Sequence, residues 1–178
     1  IDLPGGVPLH VLNLHLRAPR PAPVVTARGT GSSKSQIEGQ FVAAQKREGQ
    51  ALEARLFIET LFDADPDASI AVCGDFNADA HDAPTRLLRG GDNERQQGPR
   101  ALVPLEARVE PMRRYSVLHA GSPRLIDHIL VSPALAAGWR ETVILNDGLQ
   151  DEVDAPDPII GSLHAPIVVK FVVPSTIF

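Results

Sequence analysis

The sequence predicts a mixed α/β layered domain. Three observations point there. VPLHVLNLHL and SIAVCGD are apolar runs of strand character. The stretch from Gln36 to Phe62 has helical spacing. Strand and helix patterns alternate early in the chain, whereas strands come in runs later. At 178 residues the chain suits one domain, able to bury about 70% of its unfolded surface.

The first strand spans Val7 to Leu16. Leu12, Leu14 and Leu16 fall on one face, and Leu9, Val11, Asn13 and His15 on the other. Residues 18–35, rich in Pro, Gly, Ser and cations, read as a long flexible loop. Helical spacing then begins, with Ser35 as the expected cap and Glu38 as its capping-box partner. Ile37, Phe41, Ala44, Ala51, Ile58 and Leu61 mark the apolar positions, while Gly39 and Gly49 weaken the helix. DADPDA stops it, and SIAVCGD is a short buried strand.

A second helix is expected near Ala83, with Asp82 as cap and Pro84 in its first turn. RRYSVLHAGSPRLIDHILVS reads as two strands joined at AGSP. ETVILN is another strand, DGLQDEVDAPDPIIGS an acidic loop, and APIVVKFVV a final strand. There is no internal repeat.

The formal net charge of −5 leaves no global basic field to recruit nucleic acid or an acidic membrane, so any binding of anions would have to come from a local patch or a metal. Cys73, the single cysteine, excludes an internal disulfide and reads as a small buried thiol. No stretch approaches the ~20 apolar residues of a membrane span. The opening residues lack a signal-peptide pattern. The chain starts at Ile1, as a fragment or processed product would, so the compartment is not legible.

The stretch AVCGDFNADA ends a buried strand on Gly74, Asp75, Phe76 and Asn77. A carboxylate and an amide two residues apart suit a site that holds an ion, a water and a phosphate. LNLHL lies upstream of it, and RLIDHILVS and SLHAPIVV lie downstream. These four motifs, in this order, resemble the endonuclease/exonuclease/phosphatase superfamily, which contains the DNase I-like enzymes. The resemblance covers nearly the whole chain. It implies the C-terminal part of a four-layered α/β sandwich (an α+β fold), with an N-terminal part supplying an Asn and the main metal-binding Glu.

The resemblance also implies the chemistry. Hydrolysing a phosphodiester needs a cation on the developing charge, an activated water and a proton for the leaving oxygen. Asp75 and Asn77 resemble the pair facing the scissile phosphate, with Asp75 also offering an oxygen to Mg²⁺ or Mn²⁺. His164 resembles the catalytic histidine, Asp127 the carboxylate that fixes its tautomer, and His15 the second histidine, near the phosphate or leaving oxygen. Asn13 and Arg17 are candidate substrate contacts. Blander readings stand beside these: Asp75 as a helix cap and His15 as a satisfied core histidine. His128, on the strand face opposite Asp127, reads as structural. His10 and His119 read as surface residues, and His81 as a weak candidate for substrate contact.

One departure concerns Leu163, where the family usually has an acidic residue before the histidine. Asp151, Glu152 and Asp154 read as a solvated loop or a supplementary metal site. The function implied is a divalent-metal-dependent phosphoesterase, foremost a nuclease or other phosphodiesterase. The alternatives are a phosphomonoesterase on an inositol- or lipid-type phosphate and a catalytically silent binding domain. Arg17, Arg20, Arg28 and Lys34 could track a nucleic-acid backbone. Scarce aromatics argue against extensive base stacking. Strands apolar on both faces imply that one sheet face meets the missing N-terminal half or a second copy of the chain. The chain alone is then expected to have little activity.

Overall fold

The computed structural model describes residues 1–3, 6–24, 32–91, 98–155 and 161–172. At its centre is a four-stranded sheet. β1 (Leu9–His15) runs parallel to β2 (Ser69–Asp75), and β6 (Asp127–Val131) pairs antiparallel with β2. The two-residue β3 (Val103–Pro104), not foreseen from sequence, pairs with the far side of β6. Parallel neighbours need a crossover, and α1 (Ser33–Ala64) supplies it.

α1 begins earlier than its spacing predicts. Its cap is Ser32, whose Oγ accepts the Ser35 N–H at 3.2 Å; Ser35 itself is buried inside the first turn. The buried face is also different. Ile37 and Phe41 are 67% and 62% exposed, while Ser35, Gly39, Ala43, Ala51, Arg55, Ile58 and Phe62 are buried. The reason is close approach by the preceding loop: Ala22 N–H donates to the Gly39 carbonyl at 2.9 Å, and a Cβ on Gly39 would overlap the Ala22 carbonyl oxygen. A small residue is required where a helix touches backbone, whatever the hydrophobic pattern says. Residues 25–31 of the expected loop, Arg28 among them, lie outside the described residues.

α2 (Ala83–Arg89) starts after Asp82 with Pro84 in its first turn, as its sequence signals require. The Asp82 carboxylate, however, accepts the Asp79 N–H at 2.8 Å and makes no bond to the helix. The segment read as two strands forms three. β4 (Val117–His119) and β5 (Ser122–Arg124) make a hairpin through Ala120 and Gly121, both with positive φ. The chain then leaves the hairpin, because the Ile126 carbonyl accepts Phe76 N–H at 2.8 Å and draws the next residues onto β2 as β6. A short α3 (Pro133–Ala137), capped by Ser132, precedes the antiparallel ribbon of β7 (Trp139–Ile144) and β8 (Ile167–Phe171).

Each sheet face has its own apolar layer. On one, Leu12, Leu14 and Leu16 pack with Ile58 and Phe62 of α1 and Leu88 of α2. On the other, Leu105, Val131 and Leu135 meet Trp139, Val169 and Phe171. The second face, expected to await another unit, is thus partly covered by the chain's own ribbon. Val11 and Val168 remain substantially exposed. Among the described residues, no strand of the sheet flanks the outer edge of β1. No helix among them is long and apolar enough to cross a membrane.

Candidate active site

The site is assembled by strand register. His15 lies opposite Asp75 across β1 and β2, and Asp75 lies opposite Asp127 across β2 and β6. Three chain segments thereby deliver two carboxylates and an imidazole to one sheet end. The close pairing depends on Gly74, which has φ 129°; a Cβ there would overlap the Leu14 carbonyl oxygen. This glycine permits close strand approach as well as the unusual backbone angle.

Asp75 is bound by the loop that follows it. Its Oδ1 accepts the Asn77 N–H at 2.8 Å, and its Oδ2 accepts the Asn77 Nδ2 group at 3.2 Å. The same Nδ2 donates to the Leu16 carbonyl at 3.0 Å. Both amide protons of Asn77 are therefore directed at protein acceptors, and donation to a phosphate requires one of these bonds to open. Asn77 holds φ 50°, a left-handed conformation that asparagine tolerates better than most residues.

His164 arrives from the segment before β8. Its Nδ1 lies 2.8 Å from Asp127 Oδ2, and its backbone N–H donates to Ser162 Oγ at 3.0 Å. Buried Ser116 joins the two segments: its Oγ accepts Asp127 N–H at 3.2 Å and its carbonyl accepts Ala165 N–H at 2.8 Å. His15 lies 3.5 Å from Asp75 Oδ2 with its side chain 76% exposed, so it stands at the rim and is not a core histidine.

Burial raises the Asp75 carboxyl above the ordinary aspartate value. The Asn77 N–H opposes that shift, the Asp127 carboxylate adds to it, and His164 and His15 oppose it. The His164 ring is raised above the ordinary imidazole value, first by its bond to Asp127, with burial working against the charge. Donor atoms of Asp75, Asp127 and His164 lie within 4.8 Å of one another. Paired carboxylates fit a hard divalent cation, whose binding would relieve their mutual repulsion. The imidazole suits such a cation less, because its Nδ1 is already engaged by Asp127.

The other candidates lie outside this cluster, some of them flanking it. The Arg17 guanidinium donates to the Arg20 carbonyl at 3.3 Å, within its own loop. Lys34 lies 3.8 Å from Glu38 on α1. Asn13 shares the exposed face of β1 with His15, and its Oδ1 lies beside Gly74. His128 is buried between Glu106, at 2.7 Å from Nδ1, and the Ala78 carbonyl, at 2.9 Å from Nε2. It is structural, as its strand face implied. Two further residues stand beside the site: Glu152, read from sequence as part of a solvated loop or a supplementary metal site, and Arg124, which was not singled out. Glu152 Oε1 lies 3.9 Å from His164 Nε2, and Arg124 donates to Asp79 at 2.6 Å. Their proximity depends on how the hairpin docks, for which the sequence holds no local signal.

A model described as the Endonuclease/Exonuclease/phosphatase family matches residues 7–162. No curated protein matches the chain. Among solved structures, the chain is similar to the 3′ phosphatase NExo from Neisseria, a variant bound to product DNA hairpin, at 17% identity and a TM-score of 0.50. The match covers 91% of this chain and 60% of that one, so this chain spans less than two thirds of the neighbour's length. At that identity the likeness concerns the fold: a mixed α/β domain of DNase I-like type.

Proposed function

Since this chain belongs to the endonuclease/exonuclease/phosphatase family, we propose that it carries the catalytic end of a divalent-metal-dependent phosphodiesterase, foremost a nuclease. The observation supporting this most directly is the alignment of His15, Asp75 and Asp127 across three strands, with His164 bonded to Asp127. Two carboxylates and two imidazoles converging at one strand end are the residue types that a cation and a phosphate would meet.

Each residue has a chemical task in this proposal. Asp127 holds Nδ1 of His164, which orients the ring and supports its charged form, leaving Nε2 for the phosphate. Asp75, with its carboxyl raised by burial, orients the attacking water and accepts its proton. Asn77 fixes both oxygens of Asp75 and approaches the phosphate once a bond to Leu16 or Asp75 opens. His15, exposed beside Asp75, delivers a proton to the leaving oxygen. Asn13 and Arg17 contact the substrate flanking the site. Asp75 would hold the cation, Mg²⁺ or Mn²⁺, which when bound offsets charge on the phosphate. A further Glu from an N-terminal part, or a second copy of this chain, completes the working protein.

The test uses the full-length protein with bis(p-nitrophenyl) phosphate and a short DNA duplex. Hydrolysis should require Mg²⁺ or Mn²⁺, stop on chelation and return on adding metal back. Asp75→Asn should lower kcat by about 10²- to 10⁴-fold. Full hydrolysis in excess chelator would overturn the metal dependence, and near-normal turnover by Asp75→Asn would overturn the role of Asp75.

A further inference from the structure

The acidic run near the site divides into two parts. Asp151 is engaged within the fold. Its carboxylate accepts the N–H groups of Ala120 at 3.0 Å, Gly121 at 2.6 Å and Val153 at 2.9 Å. Leu118 forms a β-bridge with Asp151, and the Leu118 carbonyl accepts Glu152 N–H at 2.9 Å. Together these bonds dock the β4–β5 hairpin onto the segment that carries Glu152.

That docking places the Glu152 side chain. Oε2 lies 3.0 Å from His119 Nδ1 on the hairpin, and Oε1 lies 3.9 Å from His164 Nε2. The Glu152 side chain is about one-third exposed, at 32%. His164 therefore has a carboxylate toward each ring nitrogen: Asp127 bonded to Nδ1, and Glu152 standing off Nε2. At 3.9 Å the second contact is too long for a hydrogen bond but well within Coulombic range.

On the phosphoesterase reading above, Nε2 is the nitrogen that faces the phosphate. A fixed negative charge beside it repels the incoming group in proportion to that group's own charge. An internal diester carries one negative charge. A terminal phosphate carries about −1.5 to −2 at neutral pH. Resting on that reading, we propose that Glu152 is a specificity-determining residue that disfavours terminal phosphates and thereby selects internal phosphodiesters. His119 keeps the carboxylate in place, and the Asp151-bound hairpin turn keeps His119 in place.

The experiment reads binding, so it does not depend on turnover. Full-length protein in excess chelator is titrated with a dinucleoside monophosphate and with the matching nucleoside 3′-monophosphate, at about pH 7.5, where the terminal group is largely doubly charged. The His164 ring signals are followed by NMR. Glu152→Gln keeps the shape and removes the charge. It should lower the diester-to-monoester affinity ratio about tenfold, and Glu152→Asp should preserve the wild-type preference. An unchanged ratio in Glu152→Gln, or an equal change for both ligands, would overturn the specificity role. If neither ligand perturbs His164 in the wild type, in chelator or after Mg²⁺ is added back, the phosphoesterase reading itself falls, and the specificity role with it.

Discussion

The Nδ1 atom of His164 lies 2.8 Å from Oδ2 of Asp127, a residue 37 positions earlier in the chain. Two strand-end segments meet there, joined through Ser116. In the full-length protein, His164→Ala should reduce kcat by about 10²- to 10⁴-fold without loss of the folded state. Steady-state kinetics beside circular dichroism checks both parts, and near-normal turnover would rule out a catalytic role.

The same bond sets a pH dependence. A histidine raised in the folded state stabilises the fold below its unfolded value, near 6.5. That contribution is lost as the pH rises through the raised folded value. Asp127→Asn removes the largest raising influence, so the His164 ring should titrate at lower pH in that variant. NMR titration of the ring measures this, and an unmoved midpoint would refute the assignment of cause.

Gly74 should tolerate no side chain. Its φ of 129° is unfavourable for other residues, and a Cβ would meet the Leu14 carbonyl. Gly74→Ala should lose at least ~2 kcal/mol of stability and disturb the pairing of His15 with Asp75. Urea denaturation reads the first effect and kcat the second. A variant of wild-type stability would show that β1 and β2 can separate at no cost.

His128 and Glu106 form a buried pair whose contribution should be measurable. Burial opposes charge on the ring, but Glu106 and the Ala78 carbonyl outweigh it and raise His128 above the ordinary value. Glu106→Ala should cost about 3–5 kcal/mol by leaving a buried partner uncompensated. The stability supplied by the ring's charge should be full below pH ~6.5 and fade as the pH rises through the raised value. Urea unfolding at several pH values checks both statements. A loss well under 1 kcal/mol would mean that the site repacks.

The outer edge of β1 and its exposed Val11 invite a partner, as do Ile37, Phe41, Leu56 and Phe57 on α1. This 178-residue chain produced alone should sediment above its 19.1 kDa monomer mass and show little phosphodiesterase activity. Co-expression with an N-terminal half should restore a single complex with activity. An active, stable monomer would contradict both expectations.

Parts of the fold and of the candidate site are legible in the sequence. Strand patterning put Asn13 and His15 on one face of β1, opposite Leu12, Leu14 and Leu16. The GDFN, LIDHI and SLHAP motifs pointed to Asp75, Asp127 and His164 through their resemblance to the family, because such motifs are short, local stretches of sequence. The Asp82 and Pro84 start of α2 was local too.

Features set by distant backbone were not legible. The buried face of α1 shifted because Ala22 presses on Gly39, and periodicity holds no information about a loop lying across a helix. The amide of Asn77 turned toward Leu16, a partner 61 positions away. Glu152 read as part of a solvated loop or a supplementary metal site; in the fold, Asp151 clasps the turn at Ala120 and Gly121, and Glu152 stands 3.9 Å from His164. Sequence alone determined which groups are candidates for the chemistry, since residue type and strand alternation are properties of short stretches. Only the tertiary structure decided which of them meet, because charge repulsion and hydrogen bonding act over a few ångströms of space regardless of separation along the chain.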